Sequence, residues 1–452
     1  MKTRNMTVGS PLKLIFSVAL PLMLGNAFQQ LYTVVDAQVI GQVEGYETLA
    51  ALGSCDWFSW LFIGLIQGFA QGFTIPMAQA FGAQDNALLK RSIGNAAVLA
   101  ALVSALFAAV ALVSITPIMN LLKVSVNLQP IAASYMRVLF AALPVVMGYN
   151  LLAGVLRSLG DGKTPLVAMV IASLLNVALD YLFVKGFSWG VVGAAAATVI
   201  AQVISCIYCI IKLKGLSVVH LTGNDLSLHM PMMKKLMLLG FPVAAQNCVI
   251  AIGGMIILRV VNPMGEAFIA GYTSTNKLYG LLEIAAISFG YATSAYAGQN
   301  FGARKLDRIY KGIHASAVVG VLTACVIAAA MLLFGRNIVA SFISGENLEE
   351  VQKGIRIASE YLYIMSACLP ILYVLYIYRS ALQGVGNTVM PLVSGIAEFI
   401  MRTGAALLLP GLIGYKGVFW AEVLAWFGAD LILIPSYYVM IKRMKRTQDS
   451  PG

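Results

Sequence analysis

The chain has 452 residues, of which 60% are hydrophobic and only 11% are charged, and its mean hydropathy is +0.84. Soluble domains are about 45–50% apolar and about 25% charged, so the composition excludes an ordinary soluble protein and predicts an all-α polytopic membrane protein. The net charge of +11 would suggest a nucleic-acid partner in a soluble protein, but in a membrane protein the distribution of Lys and Arg among the loops must be considered first.

Twelve segments of the chain are long and apolar enough to cross a membrane, which takes about 20 residues. In chain order they are 12–42, 49–80, 92–118, 129–157, 164–184, 190–212, 235–261, 267–300, 309–334, 353–382, 389–411 and 417–441. The first segment is longer than the apolar region of a signal peptide, so we predict that it is retained as a helix.

The basic residues are concentrated in the loops on one side of these segments. If the N-terminus is inside, twenty Lys and Arg residues lie on the inner side and five on the outer side, namely Lys123, Lys185, Arg336, Lys353 and Lys416. This bias predicts a protein of the plasma (cytoplasmic) membrane with both termini in the cytoplasm. Membrane orientation then accounts for the positive net charge, and no nucleic-acid partner is predicted.

The two halves of the chain resemble each other. The stretch MAQAFGAQ (77–84) aligns with AGQNFGAR (297–304), and LRSLGDGKTPL (156–166) aligns with LQGVGNTVMPL (382–392). Six segments per copy is an even number, so both copies enter the membrane from the same side. We therefore predict two six-helix lobes related by a pseudo-two-fold axis along the membrane normal. The predicted N-lobe is 1–215, the cytoplasmic linker between the lobes is 216–234, and the C-lobe is 235–452.

Polar residues of three N-lobe segments share one depth in the membrane. Asp36 lies near the outer end of the first segment, Asn176 and Asp180 lie four positions apart on the fifth, and Ala194 and Thr198 lie four apart on the sixth. Residues at this spacing leave one face of a helix. If the three segments converge, these side chains and the Ala194 carbonyl form an all-oxygen cluster that suits a hard cation or a proton. The Thr198 hydroxyl would bond back to the Ala194 carbonyl, or share that oxygen with the ion.

Simpler interpretations exist for individual residues. Thr198 taken alone is typical of an interhelical contact, whereas buried aspartates cost several kcal/mol in a membrane and are usually functional.

Apolar and aromatic side chains with a few acidic groups would suit a cavity for lipophilic cations. The candidate cavity residues are Asp56, Tyr149, Tyr279, Glu283, Glu398 and Arg402. Glu398 and Arg402 are also four apart, so an ion pair on the helix surface is the simpler interpretation. Arg379 lies near a segment end, from which it is predicted to extend to the interface.

Sequence motifs of catalysis are absent. There is no GxxxxGK[ST] phosphate loop, no HExxH and no GxSxG. Cys206 and Cys209 form a CxxC, but it has no second pair and no nearby histidine, so it indicates packing rather than a metal site. We therefore predict that the protein is not an enzyme and needs no cofactor beyond a coupling ion. The only metal expected is Na+ at Asp36, Asn176, Asp180 and Thr198.

The sequence resembles the multidrug and toxic compound extrusion (MATE) transporters over its whole length. The stretches that carry the resemblance are LPLMLGNAFQQLYTVVDAQVIGQ (20–42), AQAFGAQ (78–84), LRSLGDGKTPL (156–166), NVALDY (176–181) and GAAAAT (193–198). The resemblance implies two lobes forming a V, with Na+ or H+ held in the N-lobe by Asp36, Asn176, Asp180, the Ala194 carbonyl and Thr198. Some members also carry an acidic residue on the seventh segment. This sequence has none there, so we expect ion coupling in the N-lobe.

The expected function is cation-driven antiport that exports lipophilic, often cationic drugs and toxic compounds by alternating access. The alternative is a flippase for a lipid-linked oligosaccharide or another lipid, because related two-lobe folds carry such cargo. In that case Arg259, Lys277 and Arg402 would line the cavity. The expected partners are small-molecule drugs or organic cations and membrane lipid, and the protein is expected to be a monomer.

Overall fold

The computed structural model describes residues 3–43, 46–121, 124, 126–221, 223–343 and 347–449. Lys2 and Lys123, which enter the predicted charge bias, lie outside the described residues, and the orientation of the termini stays a prediction. The α-helices of the described part are α1 Pro11–Val43, α2 Tyr46–Gly82, α3 Asn86–Leu121, α4 Gln129–Ala141, α5 Leu143–Ser158, α6 Lys163–Asp180, α7 Gly190–Lys214, α8 Met230–Val261, α9 Glu266–Gly302, α10 Leu306–Ala340, α11 Leu348–Ala367, α12 Leu369–Gly384, α13 Val389–Leu408, α14 Pro410–Ile413 and α15 Lys416–Asp449.

These helices correspond to the predicted segments. Among the described residues, nine helices are long and apolar enough to cross a membrane, and two further spans are pairs of helices bent by 45° (α4 and α5) and by 50° (α11 and α12). The remaining predicted segment forms α9, which has 37 residues and carries more polar groups. The prediction of an all-α membrane protein with twelve helical spans is confirmed.

Prolines explain why two spans are bent. α5 and α12 carry Pro144 and Pro370 in their first turns, and 226 positions separate these two prolines. Proline has no N–H to donate and clashes with the preceding turn, but it is well tolerated at a helix start. The single helices predicted at 129–157 and 353–382 are wrong in this respect, because each is two helices. The equal spacing shows that the bend belongs to the repeat.

The turn that follows each bent span also repeats. Gly160 and Gly386, again 226 positions apart, have φ angles of +77° and +93°, a conformation that favours glycine. Gly160 is required for a second reason, because a Cβ there would lie 2.4 Å from the carbonyl oxygen of Arg4. The Arg4 N–H donates to the Leu159 carbonyl at 2.9 Å. The N-terminal segment is therefore fastened to this turn by backbone contacts.

The chain divides into two compact units. The first unit comprises Met1–Met6 and Leu20–Cys248, and the second comprises Thr7–Ala19 and Val249–Gly452. Helices α1 and α8 each contribute to both units, whereas the predicted lobes were divided at the linker 216–234. The predicted lobe boundaries stay a prediction.

Small residues bring α2 and the first half of α8 into close contact within the first unit. A Cβ on Gly68 would lie 2.5 Å from the Cα of Ala244, and one on Gly72 would lie 2.4 Å from the Cα of Gly240. Between membrane helices, close packing of small residues takes over the role that the hydrophobic effect has in water. This contact therefore sets the distance between the two helices.

We expect Gly68→Ala to destabilise the protein by about 1–3 kcal/mol, because its Cβ would overlap backbone atoms of α8 that no rotamer change can move. The unfolding midpoint of the purified protein in detergent measures the effect. Gly53→Ala, on the same helix with open space around its Cβ, is the matched control and should be neutral or slightly stabilising. Equal loss of stability in both variants would contradict the importance of this contact.

Candidate functional site

Three helices of the first unit bring the predicted cluster together. α1 carries Asp36, α6 carries Asn176 and Asp180, and α7 carries Ala194 and Thr198. Asn176 and Asp180 are completely buried, at 0% exposure. Asp180 is the last residue of α6 before a π-helical turn at Tyr181–Gly186, a distortion that is frequent at functional sites.

Hydrogen bonds in the cluster point toward Asp36. The Asn176 Nδ2 donates to the Thr198 hydroxyl at 3.3 Å, and this hydroxyl donates to the Asp36 Oδ2 at 3.4 Å. The sequence predicts that the Thr198 hydroxyl bonds to the Ala194 carbonyl or shares that oxygen with an ion, and the first of these predictions is wrong. A carboxylate attracts a hydroxyl donor more strongly than a carbonyl does.

The two carboxyl groups lie within hydrogen-bonding reach of each other. Ionised carboxylates only accept hydrogen bonds, so Asp36 and Asp180 cannot satisfy one another without a proton between them. Among the described residues, no donor reaches Asp36 Oδ1, Asn176 Oδ1 or either carboxyl oxygen of Asp180. Buried acceptors in this number are suited to bind an added proton or a cation, and a cation would contact several of these oxygens at once.

One member of the cluster, Ala194, belongs to a layer of packed apolar side chains. The buried side chains that form this apolar layer are Val39, Ile40, Leu52, Val184, Val191 and Ala194. Ala194 is 2% exposed, so its small side chain is part of this packing.

Two tyrosines near the cluster were missed by the sequence analysis. Tyr32 and Tyr135 both interact electrostatically with Asp36 and Asp180, and Tyr135 packs against the apolar layer. Tyr32 precedes Asp36 by four residues, so its position on the same helix face was visible in the sequence. Tyr135 lies on α4, and no spacing in the sequence connects it to the aspartates.

In the second unit, Glu283 is surrounded by hydroxyl groups. The hydroxyls of Tyr376 and Tyr279 both donate to the Glu283 Oε1, the latter at 3.4 Å. The Tyr279 ring also stacks on Trp426, with ring centroids 5.9 Å apart. Two of the candidate cavity residues, Tyr279 and Glu283, are therefore neighbours in an aromatic environment.

Two other candidates belong to a buried ion-pair network. The Arg402 Nη2 contacts Glu398 Oε1 and Glu422 Oε2, each at 2.9 Å, and the Arg379 Nη2 contacts Glu398 Oε2 at 2.7 Å. The interpretation of Glu398 and Arg402 as an ion pair is confirmed, but the pair is buried rather than on the helix surface, with side chains 5% and 7% exposed. The prediction that Arg379 extends to the interface is wrong, because Glu398 binds its guanidinium in the interior.

The remaining two candidates lie in the first unit. Asp56 on α2 is exposed, and Tyr149 on α5 packs against the main hydrophobic core of that unit. Asp56 interacts electrostatically with Tyr135, as do both aspartates of the cluster. A role of Asp56 and Tyr149 in a substrate cavity stays a prediction.

The MatE family model matches residues 21–182 and 242–407, more than half of the chain. The chain belongs to the MatE family. Among its relatives, the probable multidrug resistance protein YpnP of Bacillus subtilis (strain 168) is 27% identical, over 92% of this chain and 93% of YpnP. The probable multidrug resistance protein YoeA of the same organism is 24% identical, over 94% of this chain and 93% of YoeA. Both matches extend over nearly the whole of each chain.

A solved structure shares the fold of this MatE protein. The crystal structure of MATE in complex with MaL6 has a TM-score of 0.92 at 22% identity, and the match covers 99% of this chain and 100% of that chain. The resemblance to MATE transporters found in the sequence is therefore confirmed, and members of this family are membrane transporters rather than enzymes.

Removing Glu398 from this MatE protein should be strongly destabilising. We expect Glu398→Gln to cost about 3–5 kcal/mol, because Arg379 would lose a buried carboxylate partner and Arg402 would lose one of two. Unfolding in detergent, followed by intrinsic fluorescence, measures the loss.

Glu360→Gln is the matched control for this variant, since Glu360 pairs with Arg356 and Lys416 at partly exposed positions. Pairs of this kind are worth at most about 1 kcal/mol. If both substitutions have the same small effect, the buried network contributes nothing to stability.

Proposed function

We propose that this protein is an antiporter that uses the inward movement of Na+ or H+ to export lipophilic, often cationic compounds. The observation that supports the proposal is the pair formed by Asp36, which is partly buried, and Asp180, which is completely buried. Three of the four carboxyl oxygens of this pair lack a donor among the described residues. A pair of this kind is a poor structural element and a good cation acceptor.

The cluster contains the groups that a small cation needs. Asp36 and Asp180 supply negative charge, and Asn176 and Thr198 supply neutral oxygens. Binding a proton or a metal ion offsets the cost of burying the carboxylates, which is several kcal/mol per uncompensated charge. Ion binding therefore changes which arrangement of α1, α6 and α7 is the most stable.

This difference is what allows a cation gradient to do work. An ion that binds one conformation more tightly than another shifts the population between them, and an ion with equal affinity for both shifts nothing. Because binding linkage is reciprocal, a substrate that favours the other conformation lowers the affinity for the ion. The ion and the substrate then favour different conformations, so binding of one promotes release of the other.

Lipophilic cations are the substrate class that we propose. Relatives such as YpnP are named probable multidrug resistance proteins, and in this chain the acidic Glu283 lies among the aromatic side chains of Tyr279 and Tyr376. Glu283 is the strongest candidate among the predicted cavity residues, because Tyr279 and Tyr376 contact its carboxyl group and no ion pair to it is found among the described residues. Glu398 and Arg402 form an ion pair with each other, so their charges are not available to a substrate.

The geometry does not favour the lipid flippase. A pyrophosphate-linked lipid would need Arg and Lys side chains that are available for phosphate. Arg402 is held by Glu398 and Glu422 at 2.9 Å, so its charge is already neutralised. Binding measurements with a lipophilic cation and with a pyrophosphate lipid, side by side, would distinguish the two functions.

Asp36→Asn and Asp180→Asn are each expected to lower gradient-driven export by at least about tenfold, because the amide cannot carry the negative charge that a cation requires. The measurement is efflux of a fluorescent lipophilic cation from proteoliposomes with a Na+ gradient and a pH gradient imposed separately. The separate gradients identify the coupling ion.

The matched control for the two variants is Asp307→Asn, which removes an exposed carboxylate paired with Lys445 at 2.6 Å. This variant should transport normally, since its charge lies outside the cluster. Normal gradient-driven efflux by both Asp36→Asn and Asp180→Asn would exclude the proposed mechanism, provided that the proteins are correctly folded.

A further inference from the structure

One residue outside the predicted cluster shares its most unusual property. The side-chain oxygen of Gln202, on α7, is buried and receives no hydrogen bond from the described residues. In the described part of the first unit, the other buried side-chain oxygens in this condition belong to Asp36, Asn176 and Asp180. The acceptors that lack donors in that unit are therefore the three acidic or amide residues of the cluster and Gln202.

The position of Gln202 on α7 is defined by two contacts with α6. On one side of it, Thr198 receives the hydrogen bond from Asn176 at 3.3 Å. On the other side, the Ser205 hydroxyl donates to the Ala168 carbonyl at 3.1 Å. Residues 198, 202 and 205 follow the i, i+4, i+7 spacing of one helix face, so Gln202 lies on the stripe of α7 that faces α6.

The direction of the helix brings the side chain of Gln202 closer to the cluster. One turn, about 6 Å along the axis, separates its backbone from that of Thr198. The Cα–Cβ bonds of an α-helix tilt toward its N-terminus, and the N-terminal end of α7 is the end that carries Ala194 and Thr198. The Cα–Cβ bond of Gln202 therefore tilts toward the turn of α7 that carries Thr198, and the side chain is long enough to span one turn.

The number of oxygens without a hydrogen-bond donor helps to decide whether the bound ion is a proton or a metal cation. A proton shared by Asp36 and Asp180 satisfies those two groups and leaves the amide oxygens of Asn176 and Gln202 without a donor. A metal cation instead binds several oxygens at the same time, and neutral amide oxygens are good ligands for hard cations. The amide of Gln202 does not take up a proton at neutral pH, whereas its oxygen can bind a metal ion directly.

We propose that the Gln202 side-chain oxygen is a further ligand of the coupling cation and that this cation is Na+. The inference rests on the proposed function and adds to it the identity of the ion and one residue of its site. Gln202 contributes no charge, so it tunes the affinity for Na+ while Asp36 and Asp180 provide most of the attraction.

The test uses the full chain in proteoliposomes, with Na+ alone as the probe ion. Gln202→Met keeps the size and helix preference of the side chain but removes the oxygen. It should raise the Na+ concentration for half-maximal efflux by about tenfold or more. Gln202→Glu adds a charge to the same position and should lower that concentration.

Ser205→Ala is the matched control, because it changes the same stripe of α7 outside the proposed site. An unchanged Na+ dependence in both Gln202 variants would overturn the inference, and so would an equal effect of Ser205→Ala. If a Na+ gradient drives no efflux by the unaltered protein, the inference fails as well. The proposed antiport fails only if Asp36→Asn and Asp180→Asn transport normally under either gradient, so the two failures are distinguishable.

Discussion

A carboxylate buried away from water must meet a positive charge or carry a proton, and this requirement explains most of what is unusual in the chain. In the first unit, Asp180 is completely buried and neither of its oxygens receives a hydrogen bond from the described residues. Thr198 directs its hydroxyl to Asp36, which lies within reach of Asp180. A bound proton or cation would offset the cost of burying these carboxyl groups, and this is the physical basis of the proposed ion coupling.

The second unit meets the same requirement with its own side chains. Arg402 stands 226 positions after Asn176, and Ala406 stands 226 positions after Asp180. In that unit Arg402 and Arg379 neutralise Glu398, with Arg402 also contacting Glu422. The repeat has therefore diverged at these positions, because arginines pair with Glu398 in the second unit, whereas no Lys or Arg pairs with Asp36 or Asp180 among the described residues of the first.

Much of the fold could be predicted because the membrane allows few solutions. The backbone of a spanning segment must satisfy its own hydrogen bonds, so apolar segments of sufficient length become helices. The bends were harder to predict, although Pro144 and Pro370 are visible in the sequence. Pro21 and Pro76 lie inside α1 and α2, which continue past them. Whether a proline breaks a membrane helix depends on whether neighbouring helices can satisfy the freed carbonyl groups, and those neighbours are known only in the folded structure.

The sequence by itself determined that the protein spans a membrane, that its halves repeat, and that Asp36, Asn176, Asp180 and Thr198 share one depth. Spacing along a helix determines depth and face, because each residue rises and rotates by a constant amount. Only the tertiary structure decided that Tyr135 lies near the aspartates, that Thr198 donates to Asp36, and that Arg379 turns inward to Glu398. These contacts join helices far apart in the chain. They depend on how each helix is rotated and tilted against its neighbours, and the spacing of residues within one helix contains no information about that.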